Sequence, residues 1–179
     1  MLTVLGLAAQ LLVPIHLPTA VPSDTPPPAP RQRVKAVEVG DWYNRRLTIH
    51  RWFSYGTVPL FGFQYAAGRQ IWDNGPSAPS WARNGHRVGA ATLAGVFTVN
   101  TVTGLWNLWD SRSVSEGRTL RYVHAISMLT ADAGFTYAGA KLSEEAERNS
   151  AKRLQHKQIA LTSMGITAAS GLMMKFFNK

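Results

Sequence analysis

The chain has 179 residues, enough for one domain and a tail; 19 Lys and Arg against 10 Asp and Glu give a formal net charge of +9. It has no cysteine, which excludes disulfides, thiolate zinc sites, iron–sulfur clusters and covalently attached c-type haem. The mean hydropathy of −0.09 is that of a soluble protein. Yet the charges are gathered in short blocks, and the basic residues stand at the ends of apolar segments, where Lys and Arg anchor helices to headgroups. That placement argues for membrane lipid as the partner of the positive charge and against nucleic acid.

Residues 1–20 hold an apolar core, Leu2 to Ile15, ending in Pro18-Thr19-Ala20. They read as a signal or leader segment without the usual basic start. Residues 21–44 form a basic, Pro-rich linker with Pro22, Pro26, Pro27, Pro28 and Pro30; proline lacks the N–H that a helix or central strand needs. Residues 45–179 carry four apolar segments, expected to be membrane spans. The first runs from about Arg45 to Trp72, charge-free from Trp52 to Gly68, with Pro59 inside it. The second follows Asn84-Gly85-His86-Arg87-Val88-Gly89 and is charge-free from Val88 to Trp109. The third runs from Arg118 to Ala140 with Asp132 in its middle, and the fourth from Ala151 to Phe177, charge-free from Gln158 to Met174. Short polar connections make the expected fold an all-α, membrane-spanning, up-and-down four-helix bundle. Its location would be an energy-transducing membrane such as the bacterial inner membrane, as a multi-pass protein. Basic residues flank both faces equally, so they assign no orientation.

Apart from His16 in the leader, the histidines fall one to a span: His50, His86, His124 and His156, each near the N-terminal end of its helix. In an up-and-down bundle odd and even helices start on opposite faces. His50 and His124 therefore lie near one face, and His86 and His156 near the other. A histidine pair facing across a bundle supplies the two axial nitrogens of a b-type haem. Gly95 and Gly165, nine residues past His86 and His156, are candidates to make room. Arg51, Arg87, Arg121 and Lys157, beside or one turn from the ligands, are candidates to meet the propionates. Met128, Met164, Met173 and Met174 read as core filler, and Trp52, Trp72, Trp81, Trp106 and Trp109 as interfacial belts.

This arrangement of alternate-helix histidine pairs in a four-helix core resembles the cytochrome b561 family. His86-Arg87-Val88-Gly89, with its exit Thr103-Gly104-Leu105, is similar to that family's His-Arg-x-x-Gly helix, although the first glycine comes one residue early. The segment from His156 to Ser170-Gly171-Leu172 is similar in kind. The resemblance covers about Arg45 to Phe177. It implies two non-covalent, bis-histidine b haems and electron transfer across the membrane, with a quinone or redox protein as partner, alone or as an oxidoreductase subunit of a larger membrane complex. The chain departs from the ascorbate-dependent branch, having fewer spans and no ascorbate-site motif. The alternative reading is a haem-free structural membrane subunit of a larger complex; a transporter or channel is a weaker third.

Asp132 in mid-membrane costs about 3 kcal/mol on insertion scales and so should face the interior with a partner. Lying about 12 Å deeper than His124, it has Asn100 as its first candidate.

Overall fold

The computed structural model describes residues 40–177. The leader at 1–20 and almost all of the linker at 21–44 lie outside the described residues.

Helix α1 runs Asp41–Asn74, beginning inside the stretch expected to be linker, with Asp41 in the first turn, where a carboxylate suits the helix dipole. Pro59 lies within it. Near that proline, polar side chains bond locally: Ser54 Oγ donates to the His50 carbonyl at 2.7 Å and Thr57 Oγ1 to the Ser54 carbonyl. Gly75, at φ 53°, ends the helix in a conformation that glycine adopts without strain, and a 3-10 turn Gly75–Ser77 follows. Helix α2 spans Ser80–Asp110. Gly117, at φ 63°, then redirects the chain into α3, Arg118–Tyr137. A π turn Ala138–Leu142 leads into the short helix α4, Ser143–Arg148, and α5 closes the fold over Ser150–Phe177.

The four long helices form an all-α up-and-down arrangement of two hairpins. Helices α1 and α2 pack closely on each other, as do α3 and α5, while the hairpins meet chiefly along α2 and α3. Small residues allow the close approaches. A Cβ at Gly134 of α3 would collide with Ser163 Oγ of α5, and one at Gly89 of α2 would stand 2.5 Å from Gln64 Nε2 of α1.

The interior holds polar side chains beside Leu93, Phe97, Leu142 and several alanines, and large apolar side chains lie on the outside. Thr57, Gln64, Asn100, Thr103, Asn107, Ser163, Thr167 and Ser170 are buried, whereas Trp52, Val58, Val88, Trp109, Ile126 and Leu172 are exposed. Among the described residues, Leu142 is the one large side chain that is fully buried. Water would favour the reverse distribution. Two helices, α2 and α5, are long and apolar enough to cross a membrane.

Candidate functional site

The fold brings the four helix-borne histidines together in two pairs. His50 of α1 faces His124 of α3, and His86 of α2 faces His156 of α5, with ring centres 6.2 Å apart in both. The ring planes are crossed at 82° and 63°. Each pair draws one histidine from each hairpin.

Each histidine heads the same ladder down its helix. Seven residues on stand Thr57, Leu93, Ala131 and Ser163, all buried. Eleven on stand Phe61, Phe97, Phe135 and Thr167; fourteen on stand Gln64, Asn100, Ala138 and Ser170. Steps of four and seven keep to one helix face. At the eleventh position Phe97 lies 6.1 Å from Phe61 and 5.0 Å from Phe135, centre to centre, and Phe61 lies 5.7 Å from Phe135. These rings form an aromatic layer between the two pairs.

The residue fourteen past each histidine meets the histidine of the hairpin partner. His50 Nδ1 is 3.1 Å from the Asn100 carbonyl, with Thr103 Oγ1 at 3.3 Å. His124 Nδ1 is 2.8 Å from Ser170 Oγ, and His156 Nδ1 is 2.9 Å from the Ala138 carbonyl, at the π turn. A carbonyl can only accept, so Nδ1 of His50 and His156 carries a proton; in a neutral ring the lone pair then lies on Nε2. At His86, Gln64 Nε2 donates to the backbone carbonyl at 2.9 Å, and the ring Nδ1 is buried without a hydrogen bond.

This geometry fits a metal held between two imidazoles. A metal–imidazole bond is about 2 Å long, and the corner of a five-membered ring lies about 1.15 Å from its centre. Two such bonds in line place the ring centres about 6.3 Å apart. Among the described residues there is no cluster of three or more His, Cys, Asp or Glu that could hold a metal ion. A two-ligand site suits a group that brings its other ligands with it, as a porphyrin does. His50 lies level with Asn100 to Gly104 on α2, so the pairs are about 21–27 Å apart along the bundle.

Other sequence expectations meet mixed outcomes. Gly95 and Gly165 have nothing near the position of a Cβ and are exposed. Nine residues are two and a half helical turns, so they face away from the histidines. The glycines that lie against the rings are Gly68 and Gly104, eighteen residues or five full turns past His50 and His86. A Cβ at Gly104 would stand 3.1 Å from His50 Cε1, and one at Gly68 would stand 3.5 Å from His86 Cε1. That five-turn spacing was the available signal.

Of the basic residues, Arg51 is exposed with no hydrogen bond or ion pair among the described residues. Arg87 pairs with Glu147 at 3.0 Å, and Lys157 Nζ sits 3.9 Å over the Trp72 ring. Arg121 donates to the carbonyls of Glu116 and Val114 at 2.6 Å each and of Ser111 at 3.3 Å, fastening the α2–α3 loop; its buried Nε has no partner. A further basic side chain near a pair is Arg46, half-buried one turn before His50. It donates to Asn107 Oδ1 at 3.1 Å, pairs with Asp110 and lies over Trp106. Among the basic residues at the ends of the apolar segments, the sequence does not single it out. Asp132 does bond a neighbouring helix, but its partner is the Thr101 hydroxyl rather than Asn100. The Asn100 backbone carbonyl is engaged with His50.

Fold and site together define an all-α, up-and-down four-helix protein whose two hairpins face each other through two histidine pairs. Comparison of the chain with family models, with curated proteins and with solved structures finds no match.

Proposed function

We propose that this chain is a dihaem b-type membrane cytochrome, carrying electrons across a bilayer between a quinol or redox-protein donor at one face and an acceptor at the other. The observation that carries the reading is the pair of cross-bundle histidine couples, each at 6.2 Å. His50 and His124 would hold one haem, and His86 and His156 the other. Bound there, haem b supplies a one-electron couple.

The chain's own residues do the rest. The Asn100 and Ala138 carbonyls and the Ser170 hydroxyl hold Nδ1 of three ligands and so orient the rings. The Phe61, Phe97 and Phe135 layer fills the space between the pairs with apolar rings. Arg46 and Arg121 bring positive charge to the end of the bundle where His50 and His124 lie. An integral four-span placement is supported by the large apolar side chains on the exterior, by α2 and α5, which are long and apolar enough to cross a membrane, and by the separation of the pairs, close to the roughly 30 Å of a hydrocarbon core. On this reading α1 and α3 also cross the membrane, turning their polar residues inward.

The test is a reduced-minus-oxidised spectrum and a pyridine haemochrome assay on the purified, detergent-solubilised chain. About two b haems per chain are expected, and His86→Ala should lose one while leaving the spectrum of the other intact. A chain that binds no haem ends the proposal.

A further inference from the structure

The two pairs match in spacing, but the layers that cap them toward the ends of the bundle differ. Outside His50 and His124 the layer is polar. Arg46 stands four residues before His50, Arg121 three before His124, and Asn107 one turn beyond Gly104, which lies against the His50 ring. Arg46 Nε donates to Asn107 Oδ1 at 3.1 Å, which fixes the amide and makes its other end the NH2 group. That Nδ2 is buried without an acceptor, and so is Nε of Arg121. Outside His86 and His156 the equivalent places are closed. Ala82, fully buried four residues before His86, stands where Arg46 does. Ile71, twenty-one residues past His50, stands where Asn107 does, twenty-one past His86. Arg153 takes the place of Arg121, but its Nε donates to the Ala146 carbonyl at 2.9 Å.

A buried N–H without an acceptor is destabilising, and a half-buried cation without a counter-charge more so. Arg121 meets only carbonyls, those of Ser111, Val114 and Glu116, and no carboxylate among the described residues. The charge of Arg46 is already met by Asp110. The layer therefore lacks an anion: one positive charge and two N–H donors stand open. A carboxylate supplies both the charge and the acceptor oxygens. We infer that Asn107 and Arg121 form a carboxylate cradle over the His50/His124 pair, taking propionate oxygens of the haem held there. The inference rests on the dihaem reading. It brings a neutral residue, Asn107, into the site and makes the two ends unlike. At the other end the propionates are left to exposed cations such as Arg87, where an ion pair is worth little.

The dimethyl ester of haem b keeps the iron and the ring but has no carboxylate, and so separates the cradle from the ligands. His86→Ala leaves the His50/His124 site, and His124→Ala leaves the other. The experiment loads each full chain in detergent with haem b or with the ester and follows release to a haem-scavenging protein. From the His86→Ala chain the ester should leave about tenfold faster than haem b or more, the worth of one hydrogen bond to a charged group. From the His124→Ala chain the two should differ by less than about threefold. Asn107→Asp keeps the oxygen that Arg46 needs and puts a second oxygen where the open NH2 stands, which repels a carboxylate. In the His86→Ala chain it should speed the release of haem b about tenfold and alter release of the ester far less. The ester comparison needs no change at the cradle, so it carries the test if Asn107→Asp does not fold. If His86→Ala does not fold, the parent carries it, with half of the bound ester in the faster phase. Equal release of haem b and ester from the His50/His124 site, or Asn107→Asp without effect on haem b, overturns the cradle and leaves the dihaem reading in place. A parent chain that takes up no haem overturns both.

Discussion

Gly104 lies against the His50 ring, and filling its place tests whether the histidine pair holds anything. A Cβ there would stand 3.1 Å from His50 Cε1 and 3.4 Å from Nδ1, so the ring must yield. His50 is itself held by the Asn100 carbonyl at 3.1 Å. Gly104→Val adds two methyl groups beyond that Cβ. Overpacking of this kind costs about 1–3 kcal/mol, and losing the ring hydrogen bond about 1 kcal/mol more. Together these come to about 2–4 kcal/mol, or about 30- to 700-fold in affinity at the His50/His124 pair. The assay is haem per chain before and after challenge with a haem-scavenging protein. Gly104→Val should fall from about two haems to about one under challenge, the survivor being the His86/His156 centre. Gly68→Ala, at the equivalent place but with its Cβ at 3.5 Å from the nearest ring atom, should keep both. If Gly104→Val holds both haems as tightly as the parent, the reading of this pair as a ligand site fails.

Val58, in the middle of α1, is 71% exposed. If α1 spans a bilayer, Val58→Arg should cost about 2.5–3.5 kcal/mol in a membrane-insertion assay; in a water-facing helix the same change would lie within about 0.5 kcal/mol of neutral, and that result would refute the four-span placement. Arg46→Leu should destabilise the purified chain by about 1–3 kcal/mol in a denaturation series, less than a fully buried pair because the Asp110 side chain is 34% exposed. Arg46→Leu combined with Asp110→Leu should recover part of that loss, and strict additivity of the two single changes would show that the pair is not coupled.

The positions that carry the site were legible because a histidine at the start of each helix needs only helix parity to find its partner, and parity survives errors of a few residues in element ends. Finer contacts depend on angle. Gly95 seemed well placed by sequence distance but lies half a turn off, whereas Gly68 and Gly104 recur after a whole number of turns. The same angular arithmetic would have found the phenylalanine layer, since Phe61, Phe97 and Phe135 each follow a histidine by eleven residues. Asp132 was expected to meet Asn100 on depth alone, and rotation about α2 gave it the next residue, Thr101. Arg46 was hidden for a different reason: its partners Asn107 and Asp110 are some sixty residues away, and nothing local separates a buried arginine from a headgroup anchor.

Because each histidine pair takes one member from each hairpin, neither hairpin owns a site. The α1–α2 and α3–α5 units can each complete their own packing, and between them the contact is chiefly a single seam along α2 and α3. One bridge across that seam would leave the units free to swivel about it. Two bridges, about 21–27 Å apart along the axis, remove both the swivel and the slide. On the dihaem reading, the groups held by the two pairs would act as a double rivet between the halves.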